Sequence, residues 1–151
     1  MPQNAKKLSE DALVQYTTPM AAAVHQLCVE RLQRTLQRSA AQCESASADL
    51  EELNALLAET TRDLDKDTAS LKALLATHGI DSMPSFAPPQ PQVVRAPSET
   101  VRSMLEMLQR FDTLVVCALT AHVQALLPGE SMDRLLDGYM MEMLGYARSG
   151  A

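Results

Sequence analysis

Large aromatic side chains are scarce in this sequence. It has no tryptophan, three tyrosines and two phenylalanines among 151 residues. Aromatic residues supply much of the burial in ordinary compact cores, so the apolar content here comes mainly from Leu, Ala and Met, which suit helices that pack along stripes. These features predict an all-α protein.

Other missing features indicate in which cellular compartment the protein is expected. No apolar run approaches the roughly 18 residues that a membrane span needs, and the N-terminus lacks the apolar centre of a signal peptide. Three cysteines without close spacing are typical of a reducing compartment. We therefore expect a cytoplasmic protein with no membrane span.

Catalytic and nucleic-acid-binding motifs are missing as well. The net charge is −6, and no basic run is longer than Lys6-Lys7, which argues against nucleic-acid binding. There is no glycine-rich phosphate loop and no nucleophile in a recognisable setting. His25 and Cys28 share one helical turn, but no second ligand pair accompanies them, so no zinc site is predicted. The sequence predicts no enzyme, no cofactor and no small-molecule substrate, and metal analysis of purified protein would test the alternative of a metal-binding bundle.

Proline and glycine are absent from residues 20–78, and apolar residues there recur every seven positions. Position a of this repeat holds Val29, Leu36, Cys43, Leu50, Leu57, Leu64, Leu71 and His78. Position d holds His25, Leu32, Ser39, Ala46, Leu53, Thr60, Asp67 and Leu74. A repeat of this length predicts a coiled-coil stalk helix over residues 19–78 that winds around partner helices. At 1.5 Å per residue it would be about 90 Å long.

The flanks of this seam indicate how many helices pack together. Positions e and g carry mostly small or neutral side chains, such as Gln33, Ala40 and Asn54. Two-stranded coils usually place Glu and Lys there, so three or more strands are favoured. The alternative is a hairpin inside one four-helix bundle, with a turn near Ser39 to Ser47.

Two polar residues, Thr60 and Asp67, interrupt the seam at position d. A parallel homo-oligomer would stack Asp67 against its own copies, at a cost in like-charge repulsion. We therefore expect Asp67 to face a basic or hydrogen-bonding side chain of a different polypeptide, in a hetero-oligomer of helical subunits.

The segments on either side of the stalk have their own signals. Residues 1–18 are polar, with a short helix expected after Ser9, and Thr18 is the expected N-cap of the stalk. Gly79 is the expected C-cap. Residues 79–97 form a Pro-rich linker, because five prolines in residues 84–97 exclude a helix. Pro88 to Pro91 also matches the PxxP ligand pattern.

Residues 98–151 predict an antiparallel helical hairpin. Ser98 is the expected N-cap of its first helix, Pro128-Gly129 the stop and Ser131 the N-cap of its second. Two helices cannot close a core alone, so the hairpin also needs partners. The residues expected to bind partner subunits are Leu50, Leu53, Leu57, Leu64, Asp67, Leu71, Leu74, Leu135, Tyr139 and Met143.

The sharpest resemblance to a known family lies in FDTLVVCALTAHVQALLPGESMDRLLDGYMMEML, residues 111–144. This stretch resembles the "steadiness box" hairpin of the tumour-susceptibility-gene subunit of ESCRT-I, which follows a stalk helix. Asp112, Thr113 and Leu114 fall where that family has N-A-I, and Pro128-Gly129 falls near its turn. Its L-D-x-F-L-x-x-V pattern is matched by Met132, Asp133, Leu135, Leu136 and Tyr139. Asp137 and Met140 replace basic residues of the family, and its closing R-x-Q-F has no counterpart.

The resemblance implies a non-enzymatic assembly subunit in endosomal protein transport, located in the cytoplasm and peripherally on endosomes. Nothing ahead of the predicted stalk is long enough for the family's ubiquitin-binding domain, so no cargo recognition is expected. The competing interpretation is a structural coiled-coil subunit of a cytoskeletal, kinetochore or tethering complex.

Overall fold

The computed structural model describes residues 11–149 except 43–45, 82, 84, 85 and 88. Four helices make up most of it: α1 (Pro19–Gln42), α2 (Ala46–Thr77), α3 (Glu99–Val123) and α4 (Gly129–Ser149). Two short strands, β1 (Ala12–Val14) and β2 (Gln92–Val94), pair antiparallel with Leu13 opposite Val93. The prediction of an all-α protein is confirmed, with this small ribbon as an addition.

Helix α3 lies at the centre of the molecule and packs against each of the other three helices. Its sequence explains that position, because its apolar residues form a broad face that several neighbours must cover, while an exposed stripe carries Glu99, Arg102, Glu106, Gln109, Arg110 and Thr113. Its buried residues are Thr100, Val101, Met104, Leu105, Met107, Leu108, Phe111, Asp112, Leu114, Val115, Cys117, Ala118, Thr120 and Ala121.

The prediction of one stalk helix over residues 19–78 is wrong. Thr18 bonds to Asp112, and Asp65 forms an ion pair with Arg110, two residues earlier on α3. A continuous helix would separate residues 18 and 65 by about 70 Å, so they could not both reach the same turn of α3. The chain instead folds back as two helices, α1 and α2, with ends close to the turn that the hairpin alternative requires. Cys43, a predicted seam residue, lies outside the described residues.

The contacts with α3 also set the helix directions. Thr18 lies near residue 112 and Gln33 bonds to the carbonyl of Arg95, so α1 runs antiparallel to α3. Asp65 lies near Arg110, and Lys72, later on α2, is close enough to Cys117, later on α3, to affect its pKa. The two helices therefore run in the same direction.

Parallel neighbouring helices need a long connection, and the Pro-rich segment provides it. Thr120 donates a hydrogen bond to the sulfur of Met83 near the end of α3, whereas Arg95 lies beyond its start. The 22 helical steps from residue 98 to residue 120 rise about 33 Å, and twelve steps of polyproline helix, the number from residue 83 to residue 95, span about 37 Å. The extended linker that the prolines predict therefore matches the distance it covers. Pro88 lies outside the described residues, and the PxxP ligand role stays a prediction.

Several predicted helix ends are confirmed. Thr18 Oγ1 accepts a hydrogen bond from the backbone N–H of Ala21, and Ser98 Oγ accepts one from Val101. Gly79 has a φ of +70°. The N–H of Ile80 bonds to the carbonyl of Leu75 and that of Gly79 to the carbonyl of Ala76, which is the Schellman arrangement that favours glycine.

Two predicted starts are wrong. Residues 12–14, expected in a helix after Ser9, form β1, and Ser9 itself lies outside the described residues. Helix α4 begins at Gly129 rather than after Ser131, since the N–H of Met132 already bonds to the carbonyl of Pro128.

Candidate functional site

The predicted partner-binding seam of α2 lies inside the molecule. Its buried members join the same apolar core as the residues of α3. The partner helix that covers this seam is α3 of the same chain. Of the predicted residues on α2, Leu53, Leu57, Leu64 and Leu71 are buried, while Leu50 and Leu74 are half-buried.

The two polar seam residues bond to tyrosines of α4. Thr60 Oγ1 lies 2.6 Å from the hydroxyl of Tyr146, and the hydroxyl of Tyr139 donates a hydrogen bond to the Asp67 carboxylate. The prediction that Asp67 faces another polypeptide is wrong, because its partner is on the same chain. The heptad pattern did locate a polar residue that bonds to a neighbouring helix. That helix is α4 of the same chain rather than a helix of another polypeptide.

The three residues of α4 that were predicted to bind partner subunits also pack against the core of this chain. Met143 and Tyr139 are buried and Leu135 is half-buried. The thiol of Cys28 on α1 lies 3.8 Å from the carbonyl oxygen of Met143. Burial raises the pKa of Tyr139, and its hydrogen bond to Asp67 and the charges of Asp67, Asp63 and Glu142 raise it further. This part of α4 therefore lies in a negative electrostatic environment.

A buried carboxylate, Asp112, holds the start of α1 against α3. One of its oxygens accepts hydrogen bonds from the backbone N–H and the hydroxyl of Thr18, at 2.8 and 2.7 Å. The other accepts one from the N–H of Thr17 at 2.7 Å. The carboxylate thus satisfies backbone donors at the positive end of the α1 dipole. Sequence reasoning missed this role, although an acidic residue on the apolar face of a helix is a signal for it.

Beside this anchor, Tyr16 and His25 form a second buried polar contact. The hydroxyl of Tyr16 lies 2.8 Å from Nδ1 of His25, and the two rings meet edge to face. Burial raises the pKa of Tyr16, with smaller effects from Asp112 and Cys28. Burial lowers the pKa of His25. Both side chains are buried, at 1% and 5% exposed, so the contact holds the segment before α1 against that helix.

The β-ribbon carries an unusual outer face. Leu13 and Val93 stand directly opposite each other, and their side chains are 72% and 63% exposed. The inner positions Val14 and Val94 are buried against the bundle. Val93 also borders a cavity of about 380 Å³ between β2 and α1, whose floor includes His25 and Val29. The ribbon therefore presents a small apolar surface next to a groove.

A second groove separates α2 from α4, with a volume of about 510 Å³. The α2 wall contributes Asp63, Lys66 and Asp67, and the α4 wall contributes Arg134, Leu135, Gly138, Tyr139 and Glu142. A Cβ built on Gly138 would meet no atom within 4 Å. These two grooves are concave surfaces on which another molecule could lie.

Two searches bear on other kinds of site. Among the described residues, no group of three His, Cys, Asp or Glu side chains is arranged to hold a metal ion. In the same part of the chain, no helix has the length and apolar character needed to cross a membrane. Cys28 and Cys117 are buried thiols, and burial raises the pKa of Cys117, which lowers its reactivity.

In the described residues, four helices form a bundle, and a short β-ribbon packs against it through Val14 and Val94. The fold is similar to that in the crystal structure of selenomethionine-containing AcaB from uropathogenic E. coli. The TM-score is 0.79 at 19% sequence identity, and the match covers 91% of this chain and 75% of that chain. At this identity the likeness shows the fold alone. No protein-family model matches the sequence, and no curated protein matches it.

Proposed function

We propose that this protein is a non-enzymatic subunit that binds another polypeptide and forms a hetero-oligomer with it. The observation that supports the proposal is the exposed Leu13–Val93 pair. An antiparallel ribbon with one face in water normally alternates apolar residues inward with polar residues outward. Here both outward positions are apolar and in register, and a partner would remove them from water.

The surroundings of this pair suit an interface. Val93 continues into the groove between β2 and α1, so apolar surface and a concave feature adjoin. A stable interface buries about 800 Å² on each partner, far more than two side chains offer. The pair would therefore be the apolar centre, and the ends of α1 and of the linker would form the polar rim.

The endosomal version of this proposal has less support. Its resemblance to ESCRT-I depended on a long stalk followed by a hairpin, and residues 19–77 form two shorter helices instead. The similarity of residues 111–144 remains, but those residues serve mainly to close the core of this chain. The ESCRT-I role and the cytoskeletal, kinetochore or tethering roles stay predictions, and the proposal is limited to binding another polypeptide.

The test is the size of the protein in extracts of its native cells, measured by native sizing and compared with the purified chain. We expect a complex larger than the monomer that Leu13→Lys and Val93→Lys reduce to monomer size. Val123→Lys is the matched control, because Val123 is 72% exposed, like Leu13, but lies at the end of α3. A monomer in the wild-type extract, or an equal effect of Val123→Lys, would contradict the proposal.

A further inference from the structure

The β-ribbon has one edge that faces α1. Within the described residues the sheet has two strands, so β2 pairs with β1 on one side and with no strand on the other. The carbonyl oxygen of Arg95, one residue beyond β2, accepts a hydrogen bond at 2.9 Å from the side chain of Gln33 on α1. The N–H of Ala96 donates instead to the side chain of Asp11, just before β1, at 3.0 Å. Arg95 therefore directs its carbonyl toward α1, and Ala96 directs its N–H toward β1.

This alternation leaves the backbone of Val93 facing α1. Successive residues of a strand direct their backbone groups to opposite sides, so residues two apart point the same way. Val93 lies two residues before Arg95 and therefore directs its N–H and carbonyl toward α1, whereas Gln92 and Val94 direct theirs toward β1. In the described part of the chain, no backbone group outside the ribbon bonds to Val93. This edge of β2 is therefore a free template for another strand.

The groove between β2 and α1 runs along this edge. Its lining includes Val93, whose side chain points outward, and Val94, whose side chain is buried against the bundle. A space bordered by side chains from both faces of β2 lies beside the strand and not above one face. The opposite wall is α1, with Gln26 exposed and Val29 buried. The volume of about 380 Å³ is within the range of ligand sites, about 300–1,000 Å³.

An extended segment fits this edge better than a helix does. The backbone groups of a helix bond to one another, so a helix in the groove would leave the N–H and carbonyl of Val93 without partners. An extended segment supplies a carbonyl and an N–H at the spacing of a neighbouring strand. Glu30 and Arg95 give the groove one charge of each sign, so a segment of low net charge matches it.

The same segment also adds contact area where the interface needs it. The exposed side chains of Leu13 and Val93 offer far less than the about 800 Å² that each partner of a stable interface buries. A third strand beside β2 continues the outer face on which these two side chains lie. The groove and the exposed pair therefore form one continuous surface.

We propose that an extended segment of the partner polypeptide pairs with the free edge of β2 as a third strand of the ribbon. Its backbone bonds to Val93. Its side chains alternate, so one set points to the floor of the groove at His25 and Val29 and the other set extends the apolar outer face. This inference rests on the proposed function, the binding of another polypeptide, and names the form in which the partner makes its contact.

The test uses the full chain and two short synthetic peptides that alternate Val and Thr. The second carries a methyl group on each backbone nitrogen, so it keeps the side chains but has no N–H to donate. We expect the first peptide to bind and to slow hydrogen exchange of the Val93 N–H, measured by NMR, by about tenfold or more. The methylated peptide should bind more weakly by about tenfold or more. An unchanged exchange rate at Val93 with the first peptide, or equal binding of both peptides, would overturn the proposal.

A matched pair of proline variants tests the backbone of the protein in the same way. Val93→Pro and Leu13→Pro each remove one exposed apolar side chain and one N–H that points away from the opposite strand. Only the N–H of Val93 faces the groove. We expect Val93→Pro alone to weaken binding of the first peptide by about tenfold, and equal effects of the two variants would overturn the assignment. The methylated peptide acts on the wild-type chain, so the test does not depend on the folding of either variant.

A second pair of variants fills the groove without changing the exposed pair, and it distinguishes this inference from the proposed function. Gln26→Trp places a large ring in the groove, and Leu27→Trp places the same ring on the next residue, which is 61% exposed and outside the groove lining. In native extracts we expect only Gln26→Trp to reduce the complex to monomer size. If the complex forms and Gln26→Trp leaves it intact, the inference fails and the proposed function stands, whereas a wild-type chain without any complex contradicts the proposed function itself. A purified chain that is already a dimer, and that Gln26→Trp converts to a monomer, would assign the groove to a second copy and overturn the proposal.

Discussion

Helices α2 and α3 both bury apolar residues, but in different patterns. Helix α2 has a single narrow seam with charged residues on its outer sides, whereas α3 buries a broad face and exposes a stripe that includes Glu99, Arg102, Glu106, Gln109, Arg110 and Thr113. A narrow seam needs one partner surface, and a broad apolar face needs several. The two patterns are complementary, so the α2 seam finds its partner later in the same chain. The comparison teaches that a long heptad pattern indicates a need for partner helices without indicating that they belong to other molecules.

Leu64→Asp should have the largest effect, because it places a carboxylate between α2 and α3 at a fully buried position. We expect the free energy of unfolding of the isolated chain to fall by more than about 4 kcal/mol, measured by urea denaturation. Glu59→Lys, on the exposed side of α2, should change it by less than about 0.5 kcal/mol. A Leu64→Asp chain that stays fully folded would show that the seam serves an outside partner.

Asp112→Ala tests the polar contact that α3 makes with α1. Three donors at Thr17 and Thr18 would lose their acceptor, and each buried donor without a partner costs about 1–3 kcal/mol. We expect a loss of about 2–4 kcal/mol in the free energy of unfolding, measured by the same denaturation. Asp112→Asn keeps one carbonyl oxygen and should lose roughly half as much. Equal losses for both variants would mean that only the charge matters.

The next prediction concerns His25, a buried polar residue of α1 whose hydrogen bond is to Tyr16 rather than to a residue of α3. Its pKa is lowered by burial, so below about pH 6.5 the unfolded chain binds the proton more readily. Stability should therefore fall as the pH falls through 6.5, by at most about 1.4 kcal/mol per pH unit. Glu30 and Arg95 share the groove with His25 and contribute their own charges. Denaturation of His25→Gln between pH 7 and 5 should show a smaller fall, and an unchanged pH dependence would exclude His25 as its source.

Gly145→Ala should have the smallest effect, because Gly145 is an exposed residue of α4. A Cβ there meets no atom within 4 Å, so the gain in helix propensity should raise the free energy of unfolding by about 0.5–1 kcal/mol. Gly79→Ala is the opposite case, since a φ of +70° disfavours alanine by about 1–2 kcal/mol. Thermal unfolding of both variants would check the difference in sign.

The fold class and three of the helix ends could be predicted from the sequence because they depend on local signals, whereas α3 ends at Val123, before the predicted stop at Pro128-Gly129. Thr18-Pro19, Gly79 and Ser98 each act within one turn of helix. The division of the predicted stalk into α1 and α2 could not be predicted from the repeat. Two helices of one bundle each keep a seven-residue repeat, and here Leu36 and Leu50 happen to remain in phase across the connection.

The candidate surfaces depended on contacts that the sequence does not show directly. The groove between α2 and α4 brings together residues about 70 positions apart, such as Asp67 and Tyr139. The ribbon joins two three-residue strands, which are too short for a period-two pattern to be recognised. Asp112 is the exception, because a carboxylate among the apolar residues Phe111, Leu114 and Val115 of the buried face is visible in the sequence.

The parallel arrangement of α2 and α3 has a consequence for synthesis on the ribosome. The leucine seam of α2 is complete when residue 77 has been added, but its cover is complete only at residue 123. At about 5–20 residues per second this gap lasts about 2–9 s. During that time the nascent chain exposes a row of leucines, which chaperones or other nascent chains can bind before the protein closes upon itself.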